Sequence, residues 1–238
     1  MLTSCTAPTT VNTKPERDLY SYRMKLAKSY LVAGDFKSAR IEALKLIDLN
    51  PTSEAYNILG LSYMGLGEIK KAEESFKRAV ELSPDFSPAW TNLSACYIRE
   101  GRFKEAITAA EKALSNPLYA NPEKAYVNMA DAYAATGHVG KAIELLNRAL
   151  KYNVSYAPAY ERLLRIYIEK GDITSAKGIL FDAKAAGANS PGVSFYNALI
   201  LIREGEVDEA REILKGIVRD YPLSSWAKEA SKYLESIQ

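Results

Sequence analysis

Between Ser53 and Pro84 the apolar positions follow one helical stripe and then a second. Tyr56, Leu59, Gly60 and Tyr63 fall three, one and three residues apart, which stacks them on one face of a helix of 3.6 residues per turn. Gly67 can end that helix in the left-handed conformation. Ala72, Phe76 and Ala79 then recur at i, i+4 and i+7, and Pro84 closes the second helix by withholding the next backbone donor. Large side chains on the first helix meet small ones on the second. The stretch therefore predicts a close antiparallel helical pair.

The same landmarks recur along the chain with a period of about 34 residues. A helix-ending glycine stands at Gly34, Gly67, Gly101, Gly137, Gly171 and Gly205. Tyr30, Tyr63, Tyr97, Tyr133 and Tyr167 lie four residues before the first five, with Leu201 before the sixth. Ala39, Ala72, Ala106, Ala142, Ala176 and Ala210 lie five residues after them, where a larger side chain would overpack the helix crossing by about 1–3 kcal/mol. This is the signature of the tetratricopeptide (TPR) repeat, with Tyr56 in the place of the usual tryptophan. The predicted fold is all-α: six helix-turn-helix repeats, over residues 20–52, 53–86, 87–122, 123–156, 157–190 and 191–222. The repeats stack into a right-handed superhelix, an α-solenoid with one continuous core and a concave side. The segment 223–238, with Trp226, Ala230, Tyr233, Leu234 and Ile237 at helical spacing, reads as a capping helix over the last core face.

Two places depart from the repeat. The first repeat has Ala43 where its neighbour has Phe76, which suggests a looser edge. The third ends in a longer turn, Asn116 to Pro122, expected to interrupt the even stacking. Either it projects Leu118 or Tyr119, or it is a rigid spacer whose tyrosine packs on its neighbour.

Charge and composition narrow the partners. The 238 residues carry 31 Lys and Arg against 29 Asp and Glu, a formal charge of +2. There is no clustered basic stripe of the kind phosphate neutralisation requires, which argues against nucleic acid. No apolar run approaches the length of about 20 residues needed to span a bilayer. Residues 1–17 are small, polar and proline-bearing and read as a flexible tether. Their opening, Leu2-Thr3-Ser4-Cys5, looks like a lipobox with Cys5 as the lipidated residue; the alternative is a stray terminal cysteine. The charged and apolar parts of a signal peptide do not stand before it.

Groups able to do chemistry are few. His138, the single histidine, follows Gly137 in an inter-helix turn and reads as an exposed turn residue. Zinc clusters and histidine-based triads lack their ligands. Gly65-Leu66-Gly67 is not followed by the glycine or lysine of a phosphate loop. Cys96 reads as a small core residue. No catalytic residue, cofactor or metal site is expected.

Binding should instead use the concave lining. Its candidates are a column of first-helix residues, Leu31, Met64, Ile98, Ile168 and Ile202, and beside it Met24, Asn57, Leu61, Thr91, Val127, Asp131, Glu161, Arg165, Phe195 and Leu199. Some of these would instead pack between repeats. The lysine and asparagine with which some TPR domains grip a C-terminal carboxylate are missing at Met24 and Lys28 and at Asn57 and Leu61. An apolar or amphipathic helix or strand is therefore the expected occupant.

The lipobox-like start, the six repeats, the stretch Ala113 to Glu123 and the ending Asp220-Tyr221-Pro222-Leu223-Ser224 together resemble the pilotins. These are the type IV pilus biogenesis lipoproteins of the PilF, PilW and Tgl kind. The resemblance implies a non-enzymatic scaffold at the periplasmic face of the outer membrane, anchored through a lipid on Cys5, that helps the secretin subunit localise and multimerise. With no signal peptide ahead of residue 1 the localisation would be cytoplasmic. A general periplasmic scaffold for envelope enzymes and a cytosolic TPR adaptor are the alternatives.

Overall fold

Thirteen helices and no strand occur among residues 13–237, which the computed structural model describes. Cys5, the lipobox and most of the expected tether lie outside the described residues. The first helix, α1 (Lys14–Val32), starts earlier than the sequence reading placed it. Thr13 and Glu16 form a reciprocal capping box and Pro15 sits in the first turn, so residues 14–17 are helical.

Two compact units divide between Thr136 and Gly137. In the first, α1 and α2 (Phe36–Leu49), α3 (Ser53–Gly65) and α4 (Ile69–Leu82), and α5 (Ser87–Arg99) and α6 (Phe103–Leu114) form three hairpins, followed by α7 (Pro122–Ala135). The helices α1, α3, α5 and α7 touch in succession as one layer, and α2, α4 and α6 each pack on the next first helix. In the second unit α8 (Val139–Tyr152) packs on α9 (Ala157–Glu169). The hairpins of α9 with α10 (Ile173–Ala185) and of α11 (Pro191–Glu204) with α12 (Val207–Asp220) follow, and α13 (Ser225–Ser236) rests on α11 and α12.

The recurring residues hold the hairpins by local physics. The six expected glycines all have φ between 71° and 86°. Where the turn is closed by a Schellman pair, the amide two positions beyond the C-cap residue donates to the carbonyl of the motif tyrosine, as from Asp35 to Tyr30 at 2.9 Å and from Arg102 to Tyr97 at 2.8 Å. Leu201 serves Glu206 in the same way at 2.9 Å, so the backbone closure survives loss of the ring. Gly187, outside the repeat pattern, ends α10 by the same device, with Ala188 donating to Ala183. All six motif alanines are fully buried.

Packing answers the two departures. Gly60 lets the buried Phe76 ring approach α3: a β-carbon there would fall 2.5 Å from the ring. The first hairpin replaces that pair by Ala27 and Ala43, both fully buried beside Leu46, so the expected loose edge is closed. The turn from Asn116 to Pro122 does not interrupt the stack, because α7 packs on both α5 and α6. Asn116 ties it back through a side-chain bond to the Asp85 carbonyl at 3.0 Å. Leu118 projects, 88% exposed, whereas Tyr119 folds inward with its hydroxyl 2.9 Å from Thr91 Oγ1.

Candidate functional site

The first-helix layer presents two columns of candidate residues, and the structure treats them differently. Six candidates are sealed. Met24 belongs to the core between the first two hairpins. Asn57 is 8% exposed, and its Oδ1 accepts from Asn92 Nδ2 at 2.8 Å, tying α3 to α5. Thr91 is closed over by Tyr119, and its carbonyl accepts from Asn128 Nδ2 of α7 at 2.9 Å. Val127, one residue earlier on α7, is buried. Ile168 lies in the core of the second unit. Phe195 is covered by α13, with ring centroids 5.3 Å from both Trp226 and Tyr233. Met24, Asn57, Thr91, Val127 and Phe195 share a cause: their turn of the first helix is where the next helix, turn or cap lies against it, so these side chains hold the stack.

The others keep exposed surface. Asp131, Leu199 and Ile202 are half-buried and Arg165 is exposed. Glu161 is half-buried, accepts from Ser190 Oγ at 2.7 Å, and fills the space that a side chain on Gly192 would need. Leu31, Leu61, Met64 and Ile98 are half-buried on α1, α3 and α5.

Three of these meet in one place. Leu31, Leu61 and Met64 line a cavity of about 290 Å³ together with Phe36, Gly65 and Arg99, all within the first unit. Phe36 opens α2 directly after the Gly34 turn, and its ring lies against α3 in the space where Gly65 lacks a β-carbon. Arg99, exposed at the end of α5, reaches the Met64 carbonyl at 3.5 Å. The result is an apolar recess, half-open to solvent, with one guanidinium at its rim. Phe36, Gly65 and Arg99 escape the sequence reading, because the alternation that marks first-helix residues skips the next helix and the final turn. The readable signal is size: a bulky aromatic after one glycine turn and a bare glycine near the next.

Burial pushes the Cys96 thiol up to about 12, which keeps it protonated and unreactive at neutral pH. On the same three hairpins Lys28 pairs with Glu54 at 2.6 Å and Arg40 with Glu68 at 3.5 Å. No group of three metal-ligating side chains occurs among the described residues.

Comparison with known proteins places this geometry. Residues 10–193 match the family described as the cilia and flagella-associated protein 70 C-terminal domain, and residues 192–224 match a tetratricopeptide repeat. The TPR repeat-containing protein YpiA of Bacillus subtilis is 22% identical over 213 residues, 90% of this chain and 50% of its own length. The curated relatives are thus longer, and this chain spans half or less of those first matched. Among solved structures, PilW, described as a widely conserved type IV pilus biogenesis factor, superposes with a TM-score of 0.72 at 22% identity, over 89% of this chain and 97% of its own. Pseudomonas aeruginosa pilF superposes with a TM-score of 0.70 at 16% identity, over 92% of this chain and 100% of its own. At those identities the likeness is one of fold.

Proposed function

Because the chain belongs to the tetratricopeptide-repeat family described by the cilia and flagella-associated protein 70 C-terminal domain, a family of generally non-catalytic scaffolds, we propose that it works by holding a partner protein in the first-helix layer of its first unit. The carrying observation is the recess of Leu31, Phe36, Leu61, Met64 and Gly65, which keeps exposed surface while Met24, Asn57 and Thr91 of the same three hairpins are sealed. An apolar side chain leaving water there would gain about 25 cal/mol per Å² buried, the driving term for most protein association.

Within that role we propose a pilotin-like duty: assisting a secretin subunit to reach the outer membrane and multimerise, with Cys5 as the lipid-anchored residue. The fold shared with PilW and pilF and the long Asn116–Pro122 turn support this reading. The test is genetic. In a type IV piliated bacterium that expresses this chain in place of its own pilotin, Met64→Lys and Cys5→Ala are introduced and secretin multimers are measured in membrane fractions. Loss of multimers in both variants, at normal protein levels, supports the duty. Multimers at native abundance in both would confine the chain to general scaffolding.

A further inference from the structure

We infer that the recess selects partner segments in which a bulky apolar side chain is accompanied, within about one helical turn, by an aspartate or glutamate. The inference rests on the binding role proposed above and adds the chemistry of what is bound.

Size sets the first half. A cavity of about 290 Å³ lies below the range of about 300–1,000 Å³ typical of sites that enclose a whole small ligand. Its lining is aliphatic and aromatic, with Gly65 contributing backbone alone. It suits a single anchoring side chain with the rest of the segment lying outside.

Arg99 sets the second half. Its guanidinium makes one long bond, 3.5 Å to the Met64 carbonyl, an oxygen that already accepts from the Gly67 amide at 3.1 Å. No carboxylate among the described residues pairs with it, whereas Lys28, Arg40, Lys71 and Arg102 are each matched to a glutamate. The bond to Met64 holds the guanidinium near the end of α3 and beside the recess. Its planar fork matches a carboxylate in two-point contact, which neutral and basic neighbours of an anchor cannot provide.

The test uses the full chain as bait for a phage-displayed library of random twelve-residue peptides, selected in parallel on wild type, Arg99→Glu, Arg99→Lys and Met64→Lys. Circular dichroism establishes that each bait is folded. Peptides selected by wild type are expected to carry Asp or Glu within four positions of a Leu, Ile, Met or Phe about two- to fivefold above library frequency, the range of an exposed ion pair. Arg99→Lys should retain part of that bias, Arg99→Glu should reverse it toward Lys and Arg, and Met64→Lys should fail to retain the wild-type pool. Peptides that need Met64 but show no acidic bias, or a bias unchanged in Arg99→Glu, would overturn the inference while leaving the binding role standing. Peptides indifferent to Met64→Lys, or no enrichment on wild type, would overturn both.

Discussion

The Phe36 ring occupies the place where a side chain on Gly65 would begin, so α2 meets α3 through an aromatic face laid on bare backbone. Gly60 has the same relation to Phe76, but Phe76 is fully buried and Phe36 is not. Alanine at either position gains about 1 kcal/mol of helix propensity. At Gly60 the ring cannot retreat, and overpacking of about 1–3 kcal/mol should leave Gly60→Ala net destabilised. At Gly65 the ring can swing outward, so Gly65→Ala should keep its stability within about 1 kcal/mol while reshaping the recess. Thermal melts of the two variants compare them directly; equal losses would mean that Phe36 is as confined as Phe76.

Met64 and Ile168 occupy the same place in their repeats but should answer differently to a charge. Ile168 is 6% exposed in the core of the second unit. Ile168→Asp buries an unpaired carboxylate and is expected to cost more than about 3 kcal/mol. It therefore reports folding rather than binding. Met64→Lys places a long stem at a half-open site and should cost about 1 kcal/mol or less. Urea titration of both variants distinguishes these outcomes, and a small loss for Ile168→Asp would reopen that position as a ligand contact.

The Asn57–Asn92 bond joins two first helices side chain to side chain at 2.8 Å. Asn57→Ala removes the acceptor and should cost about 1 kcal/mol, the net worth of such a bond. Adding Asn92→Ala should cost less than it does in the native background, giving a measurable coupling energy in a double-mutant cycle. Strict additivity would show that solvent replaces the bond without loss.

Burial holds the Glu161 carboxyl above the usual carboxylate range, against the opposing effects of the Ser190 hydroxyl bond and the nearby Arg162 charge. Ionisation is therefore harder in the folded chain than in the unfolded one. The group favours folding while protonated, and this contribution is lost as pH rises through its folded pKa. Glu161→Gln keeps an acceptor for Ser190 without the charge. It should be the more stable protein at neutral pH, with the gap closing as the solution is acidified below the usual carboxylate range. Unfolding midpoints over a pH series measure this, and a gap that widens in acid would contradict it.

How far the sequence could be read follows from the range of the contacts involved. The glycine turns and buried alanines are legible because each is satisfied within its own hairpin, by a carbonyl a few residues back or by the paired helix. Asn57, Thr91 and Phe195 lie on the expected helix face, but what covers them comes from elsewhere: Asn92, Tyr119 and Trp226. Periodicity names a face and cannot say which of its turns a neighbour will close. Gly65 illustrates the converse. Alone it has the look of a helix-end residue, and it acquires meaning only beside the ring of Phe36.

The aromatic cluster at the end of the chain also divides the protein optically. The sequence has two tryptophans. Trp90 stands on α5, with its indole nitrogen donating to the Pro84 carbonyl, and Trp226 stands on α13 against Phe195 and Tyr196. Replacing one indole by phenylalanine leaves the other as the single tryptophan of the chain. Release of α13 can then be followed by fluorescence independently of events around α5.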